Sequence, residues 1–340
     1  MNFKISDCKV IKTRLAQENE VIDYGVKMVG APLEWRETMG EDVKIGVIDT
    51  GICTNHVDLK NRIKDYADFS SSAKDDIEDQ NGHGTHVAGI ICAERNGVGV
   101  VGVAPKADLY VAKAFDNDGK TTYPSIEKSL NWMISKKVDV INMSFSSDIS
   151  STEYKRLINK VSSNGISMIC AAGNDGQRKE STIGYPANFR ETIAVTAVDI
   201  NRKIADFSSC GSEAEIAAAG KDIYSTYLNG GYATLSGTSM ATPIITGASA
   251  ILHGKCLIRY GRKLTPQELR LLMNIYTDKL GEKGRDLRYG YGLFSFGRIG
   301  SNDYIYGKQR QGNSSVLSLE VNDGEDVFSK AFNMMKKIMT

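Results

Sequence analysis

The chain has 340 residues, enough to bury one large core or two ordinary ones. Its 42 Lys and Arg balance 41 Asp and Glu, and the formal net charge of +1 gives no footprint for nucleic acid or an anionic membrane. Charged residues from Lys4 to Glu20 leave no apolar stretch for a signal peptide, and no apolar run approaches a membrane span. A cytoplasmic protein with no membrane partner is therefore expected. The six cysteines (Cys8, Cys53, Cys92, Cys170, Cys210, Cys256) form no C-x-x-C pair, so free and mostly buried thiols are expected.

Residues 1–20 are polar with little periodicity and read as an N-terminal arm. The β-branched run Val43 to Ile48 predicts a strand ending at Asp49-Thr50-Gly51. The acidic run Asp75 to Asp79, read as a solvated loop, precedes Asn81-Gly82-His83-Gly84-Thr85-His86, and Val87 to Ala93 reads as a helix. Strands over 107–114, 138–143, 166–171, 192–198 and 215–218 alternate with helices over 125–136 and 153–163. A helix after Ser239 and another over 266–276, capped by Thr265 with Pro266 at its first position, close the pattern. Such alternation predicts an α/β protein with a parallel sheet covered on both faces, whose ligands bind at the carboxyl ends of strands. Asp49 and Ala171-Ala172-Gly173-Asn174 stand at such ends. Beyond Gly300 the chain turns polar, and then Phe328, Phe332, Met335, Ile338 and Met339 recur at helical spacing. That amphipathic tail fits docking on its own domain or a homodimer contact.

Several single motifs have rival readings. Asp49-Thr50-Gly51 matches an aspartic-protease signature, but that chemistry needs two carboxylates and only one such motif is present. His83 and His86 lack the spacing and the glutamate of a metallopeptidase helix. Gly97-x-Gly99-x-x-Gly102 is a literal dinucleotide fingerprint in the wrong context, because it follows a helix and leads into a strand. Ser239, between Gly237 and Ala241, is either a helix cap or a nucleophile. Serine nucleophilic catalysis uses every motif: Ser239 attacks an acyl carbon, His83 takes its proton, and Asp49 orients the imidazole. Asn174 would donate its side-chain N–H to the oxyanion.

The four segments Asp49-Thr50-Gly51, Asn81-Gly82-His83-Gly84-Thr85-His86-Val87-Ala88-Gly89, Ala171-Ala172-Gly173-Asn174 and Gly237-Thr238-Ser239-Met240-Ala241-Thr242-Pro243 together resemble the signatures of the subtilisin-like serine peptidases. The order Asp, His, Ser is that of subtilisin. The resemblance covers roughly residues 20–300, from Tyr24-Gly25-Val26 to Tyr289-Gly290-Tyr291-Gly292. It implies a three-layer α/β/α fold with a roughly seven-stranded, mainly parallel sheet.

The resemblance also implies site residues one at a time. Asn174 and Thr238 would form the oxyanion hole. Ser144-Phe145-Ser146 would be the edge on which an extended substrate pairs, with Tyr123 on its other side. Ser146-Ser147 replaces glycines of many relatives and would narrow the cleft. The wall Gly184-Tyr185-Pro186-Ala187, with a cis Tyr-Pro bond, would bound the primary pocket with Asp175 at its rim, and Gly173 and Met240, the latter next to the nucleophile, would also bind substrate. Structural calcium would be held by Asp58, Asn96, the carbonyls of Glu94, Val98 and Val100, and Glu20. Glu213 and Glu215 resemble a second, weak cation site or a solvated edge.

The expected organisation is an arm over 1–20, a peptidase domain over 21–300 and a C-terminal extension over 301–340. The short arm most resembles that of the intracellular subtilisins, where a brief extension acts as a brake, although it lacks their Leu-Ile-Pro-Tyr type of blocking motif. The expected function is a calcium-stabilised serine endopeptidase acting on extended polypeptide through an acyl-enzyme. Alternatives are a maturation protease for one precursor and a catalytically silent scaffold on the same fold.

Overall fold

A computed structural model describes residues 2–5, 9–14, 19–70, 76–176, 181–297 and 327–339. The arm contributes strands β1 (Asn2–Lys4) and β2 (Lys9–Arg14), and short helices α1 (Tyr24–Met28) and α2 (Ala31–Glu34) follow. Then come β3 (Lys44–Asp49), β4 (Ile63–Asp68), α3 (His83–Cys92), β5 (Asp108–Lys113), β6 (Lys120–Thr122), α4 (Tyr123–Lys136), β7 (Val140–Met143), α5 (Thr152–Ser163) and β8 (Ser167–Ala171). The second half holds β9 (Ile193–Val198), β10 (Ala214–Ala219), β11 (Ile223–Thr226), β12 (Tyr232–Ser236), α6 (Thr238–Tyr260), α7 (Pro266–Ile275), β13 (Thr277–Asp278), β14 (Leu293–Phe294) and α8 (Val327–Met339).

The central sheet has the order β13-β14-β10-β9-β8-β7-β3-β5-β4, and the seven strands from β10 to β4 pair in parallel. β14 continues the parallel run and β13 closes it antiparallel. Continuous apolar strands such as Ile193–Val198, buried at every position, are what a sheet covered on both faces requires. One core lies under α3, α6 and α7 and the other under α4 and α5. β4, Ile-Lys-Asp-Tyr-Ala-Asp, is too charged to read as a strand, and it lies at the sheet edge, where one side meets water. α7 starts with the expected cap, Thr265 and Glu268 forming a reciprocal capping box.

α6 corrects the membrane reading of the sequence. It has 23 residues and is apolar enough by composition to cross a bilayer, yet most of it is buried between the sheet and α3. Its polar groups, such as Thr242, Thr246 and Ser249, bond back to carbonyls one turn earlier, so a helix apolar on all sides can be buried without orphaned hydroxyls.

α8 packs on its own chain against α7 and the end of α6. Phe328, Ala331, Phe332 and Met335 are buried, and Phe332 stacks on Tyr260 with ring centroids 4.2 Å apart. Met339, expected on the apolar face, is exposed. The polar stretch Asn302 to Asp323 lies outside the described residues. Of the cysteines, Cys92, Cys170 and Cys256 are free and buried, Cys210 is buried, Cys53 is free and half-buried, and Cys8 lies outside the described residues.

Candidate active site

β3 ends at Asp49, whose carbonyl accepts from the N–H groups of Ala114 and Phe115, so the side chain leaves the sheet at a fixed point. Asp49 Oδ1 lies 2.7 Å from His83 Nδ1 and also accepts from Thr50 N–H. Both side chains are buried. A carboxylate only accepts, so Nδ1 carries the proton and Nε2 is left as the basic nitrogen. Asp49 Oδ2 is buried and has no partner among the described residues, leaving negative charge beside the imidazole.

The loops around this pair approach so closely that only glycine fits. A Cβ on Gly84 would lie 2.2 Å from the Gly51 carbonyl oxygen. Gly82 adopts φ 97° at the start of α3, and the Tyr227 ring occupies the space a side chain would need. Tyr227 Oη donates to the Asn81 carbonyl.

Asp79, assigned by sequence to a solvated loop, is buried and holds the two motifs together. Its Oδ1 accepts from Thr50 Oγ1 and the N–H groups of Asn81 and Gly82, and its Oδ2 accepts from Thr85 N–H and Oγ1. Thr50 Oγ1 in turn accepts from Gly84 N–H. Ile77 is also buried, Glu78 bonds Thr54 and receives Lys113 at its carbonyl, and Asp75 lies outside the described residues. The sequence signal was an aspartate four residues before the histidine, hidden inside a run of acids.

Ser239 sits in the first turn of α6, fully buried. Pro243, four residues on, has no N–H to give the Ser239 carbonyl, and Ser144 Oγ donates to that oxygen instead, at 3.0 Å. Ser239 Oγ donates to the Ser144 carbonyl at 3.0 Å, so in this arrangement its proton points to the strand and not to the imidazole. Asn174 Oδ1 accepts from both N–H and Oγ1 of Thr238, at 2.9 Å each. The backbone N–H can only donate, which fixes the amide orientation and turns Nδ2 outward. Nδ2 is buried with no partner among the described residues. Thr238 thereby positions Asn174, and its Oγ1 also accepts from Gly173 N–H.

The expected cleft segments converge here. Gly184 packs against Ser146, and Ser147 pairs with Tyr185 through two backbone bonds. The Tyr185–Pro186 bond is cis, Ala187 and Met240 are buried, and Asp175 is exposed. Phe145 is buried, with the arm's Phe3 among its neighbours. β1 pairs antiparallel with β6, Phe3 opposite Thr121, while Lys4 exchanges both backbone bonds with Ser146. Phe3 fills an aromatic pocket, with ring centroids 6.0 Å from Phe145 and 5.2 Å from Tyr154. Tyr123 belongs to the same pocket. The polar arm hid two strands because main-chain pairing leaves little mark on side-chain pattern.

Asp58 is fully buried and receives Asn96 Nδ2, Val100 N–H and Tyr232 Oη, all neutral donors at 2.9–3.0 Å. Glu20 accepts from Gly97 N–H in the same loop. A buried carboxylate met only by neutral donors suits a hard cation, although Glu20, bonded to the same loop, is already ion-paired to Arg95 at 3.5 Å. The residues Glu94 to Val100 wrap this point, and Gly99 approaches Asp58 and Tyr232 closely. Among the described residues no group of three His, Cys, Asp or Glu side chains converges as a transition metal would require. Glu213 and Glu215 do not form a second site. Glu215 is buried and ion-paired to Arg270 at 2.7 Å, while Glu213 bonds Ser181 and Ser212.

Comparison with known proteins points to one family. The subtilase family, peptidase S8, matches residues 40–292. An intracellular serine protease of Paenibacillus polymyxa is 39% identical over 315 residues, covering 90% of this chain and 96% of that protein. Subtilisin DY of Bacillus licheniformis is 39% identical over 278 residues, 81% and 97% of the two chains. The major intracellular serine protease of Bacillus subtilis is 38% identical over 276 residues, 79% and 86% of the two chains. With its parallel sheet, its buried Asp–His pair and a serine at the head of the core helix, the chain belongs to the subtilase family of serine endopeptidases.

Proposed function

We propose that the enzyme cuts extended polypeptides with Ser239 as nucleophile, His83 as general base and Asp49 as the group that orients and charge-stabilises the imidazole. Ser239 Oγ attacks the substrate carbonyl carbon while its proton passes to His83 Nε2. For this the hydroxyl turns from the Ser144 carbonyl to the imidazole. The oxyanion accepts from Asn174 Nδ2 and from the Ser239 N–H, which lies in the first turn of α6 and has no intrahelical partner. As the carbon–nitrogen bond breaks, His83 gives its proton to the leaving amine. Water, deprotonated by His83, then attacks the acyl carbon; the ester bond to Ser239 Oγ breaks, the carboxylic acid leaves, and His83 gives its proton to Ser239 Oγ.

The observation that carries this reading is the orphaned Nδ2 of Asn174, whose Oδ1 is tied to Thr238, the residue next to Ser239. A buried donor without a partner costs about 1–3 kcal/mol, and a transient oxyanion is the partner it lacks. The arm supports a polypeptide substrate, because it occupies the cleft as an extended strand paired on both sides. On the same ground the arm is a brake that substrate must displace. Asp58, Asn96, Glu20 and the carbonyls of Glu94, Val98 and Val100 would hold calcium, which would neutralise Asp58 and fasten the arm's root to the loop. A cytoplasmic location fits relatives named intracellular.

The test is hydrolysis of internally quenched peptides by the wild type, Ser239→Ala and His83→Ala. Each variant should lose about six orders of magnitude in kcat, the scale known for subtilisin itself. Activity retained by natively folded Ser239→Ala would overturn the proposal.

A further inference from the structure

Two buried polar residues, Asn142 and Thr246, have no role in the mechanism above. β7, Val-Ile-Asn-Met, is a central strand buried at every position, and Asn142 is its polar exception. A buried amide is costly unless it is hydrogen-bonded. Ile141 and Met143 enter the core under α4 and α5, while Val140 enters the one under α6. Side chains alternate along a strand, which turns Asn142, and Ser144 just beyond the strand's end, toward α6. There Asn142 Nδ2 donates to Ser144 Oγ at 2.9 Å, and Ser144 Oγ gives its one proton to the Ser239 carbonyl at 3.0 Å. Asn142 Oδ1 is thereby left to accept from Thr246 Oγ1, also at 2.9 Å, which shares its proton with the Thr242 carbonyl. Asn142, Ser144, Ser239 and Thr246 are all fully buried.

We propose that Thr246 and Asn142 are positioning residues for the nucleophile, acting on Ser239 through the hydroxyl of Ser144. This rests on the protease reading above and extends it. Pro243 leaves the Ser239 carbonyl without its helical donor, so the first turn of α6 depends on a donor from outside the helix. Ser144 supplies that donor, and Asn142 holds Ser144 Oγ in the orientation that aims its proton at Ser239. Thr246, seven residues further along α6, then holds the amide of Asn142, so the relay starts and ends on one helix. On the other side, Asn174 Oδ1 holds the N–H of Thr238. The backbone is thus gripped before and after the Ser239 N–H, the group that would meet the oxyanion. The same grip sets where Ser239 Oγ stands relative to Asn174 Nδ2 and to the imidazole. Without the relay the Ser144 hydroxyl can rotate away, the Ser239 carbonyl loses its donor, and the reacting atoms drift. A misplacement of about 1 Å from a residue that never touches substrate can cost about a hundredfold in rate.

The test separates the hydroxyl of Thr246 from its shape, using the full chain and one internally quenched peptide. Thr246→Val keeps the shape and removes the donor, so the amide of Asn142 is free to turn. Thr246→Ser keeps the donor and removes a methyl group. Thr246→Val should lower kcat by about tenfold with KM within about twofold of wild type, and Thr246→Ser should restore kcat to within about twofold. A packing role predicts the opposite order, because serine leaves the larger void. Asn142→Ala, which removes the middle of the relay, should lower kcat by about a hundredfold and is the second measurement if Thr246→Val does not fold. In every natively folded variant the rate at which a fluorophosphonate labels Ser239 should fall in step with kcat. Wild-type kcat in folded Thr246→Val or Asn142→Ala, a loss confined to KM, or Thr246→Ser slower than Thr246→Val overturns the proposal and leaves the protease reading intact. If the wild type itself cuts nothing, the protease reading fails and the proposal with it.

Discussion

The arm and the C-terminal helix both lie outside residues 40–292, and they dock on the peptidase by different physics. The arm is held by backbone bonds to β6, Ser146 and β12, and among the described side chains of residues 2–14 only Phe3 is buried. α8 is held by side chains, with Phe328, Ala331, Phe332 and Met335 buried against α6 and α7. Main-chain pairing accepts many sequences, so another polypeptide can replace the arm. Interdigitated apolar side chains accept few, so the helix is built to stay. On the proposed reading the arm is the exchangeable end and the helix the structural one.

The strongest way to break that division is Phe332→Ala. Removing a fully buried aromatic ring should cost about 3–5 kcal/mol of stability and lower Tm by several degrees, with kcat/KM unchanged below the transition. Calorimetry and steady-state kinetics on one preparation check it, and a parallel loss of kcat/KM in folded protein would tie the helix to catalysis. Asn174→Ala should do the reverse. A fall in kcat of about 10²–10³, or 2.7–4 kcal/mol on the scale measured for subtilisin, should come with little change in Tm. If calcium joins Asp58 to Glu20, a chelator should destabilise the chain by about 2.7 kcal/mol relative to calcium at a hundred times its Kd, and an unchanged melting curve would count against the site.

Acid should act on the body of the enzyme and not on the arm. Burial depresses His86 to about 3 and His253 to about 4, both held neutral. Below the ordinary histidine value of 6.5 the unfolded chain binds these protons and the folded chain does not, so stability is present above that pH and lost as pH falls through it. Asp23, raised to about 6 by burial, binds its proton earlier when folded and offsets one of the two between pH 6 and 3.8. These three groups net roughly one proton, a slope of about 1.4 kcal/mol per pH unit, and His56, also depressed by burial, adds to it in the same direction, readable from denaturant melts at several pH values.

Much of this was legible in the sequence because of how the fold is stabilised. Strands buried on both faces show as apolar runs, and Asp49, His83, Asn174 and Ser239 sit at turns whose close backbone approaches demand glycine and small residues. What stayed hidden was decided by tertiary context. Asp79 has the composition of a surface acid, and only the convergence of five donors makes it a buried anchor. β1, β2 and β4 are too polar to show as strands, because edges bind through backbone groups common to every residue. Glu215 looked like a cation ligand until Arg270, 55 positions away in sequence, filled the same place.

The most direct test of the exchangeable arm is the rate at which a fluorophosphonate labels Ser239, followed by intact mass, in the full chain and in Phe3→Ala. Burying a phenylalanine is worth about 1.5–3 kcal/mol, so loosening the arm should speed labelling at the same serine by at least about tenfold. Equal rates in two natively folded proteins, or no adduct on Ser239 in either, would contradict a nucleophile covered by its own displaceable strand.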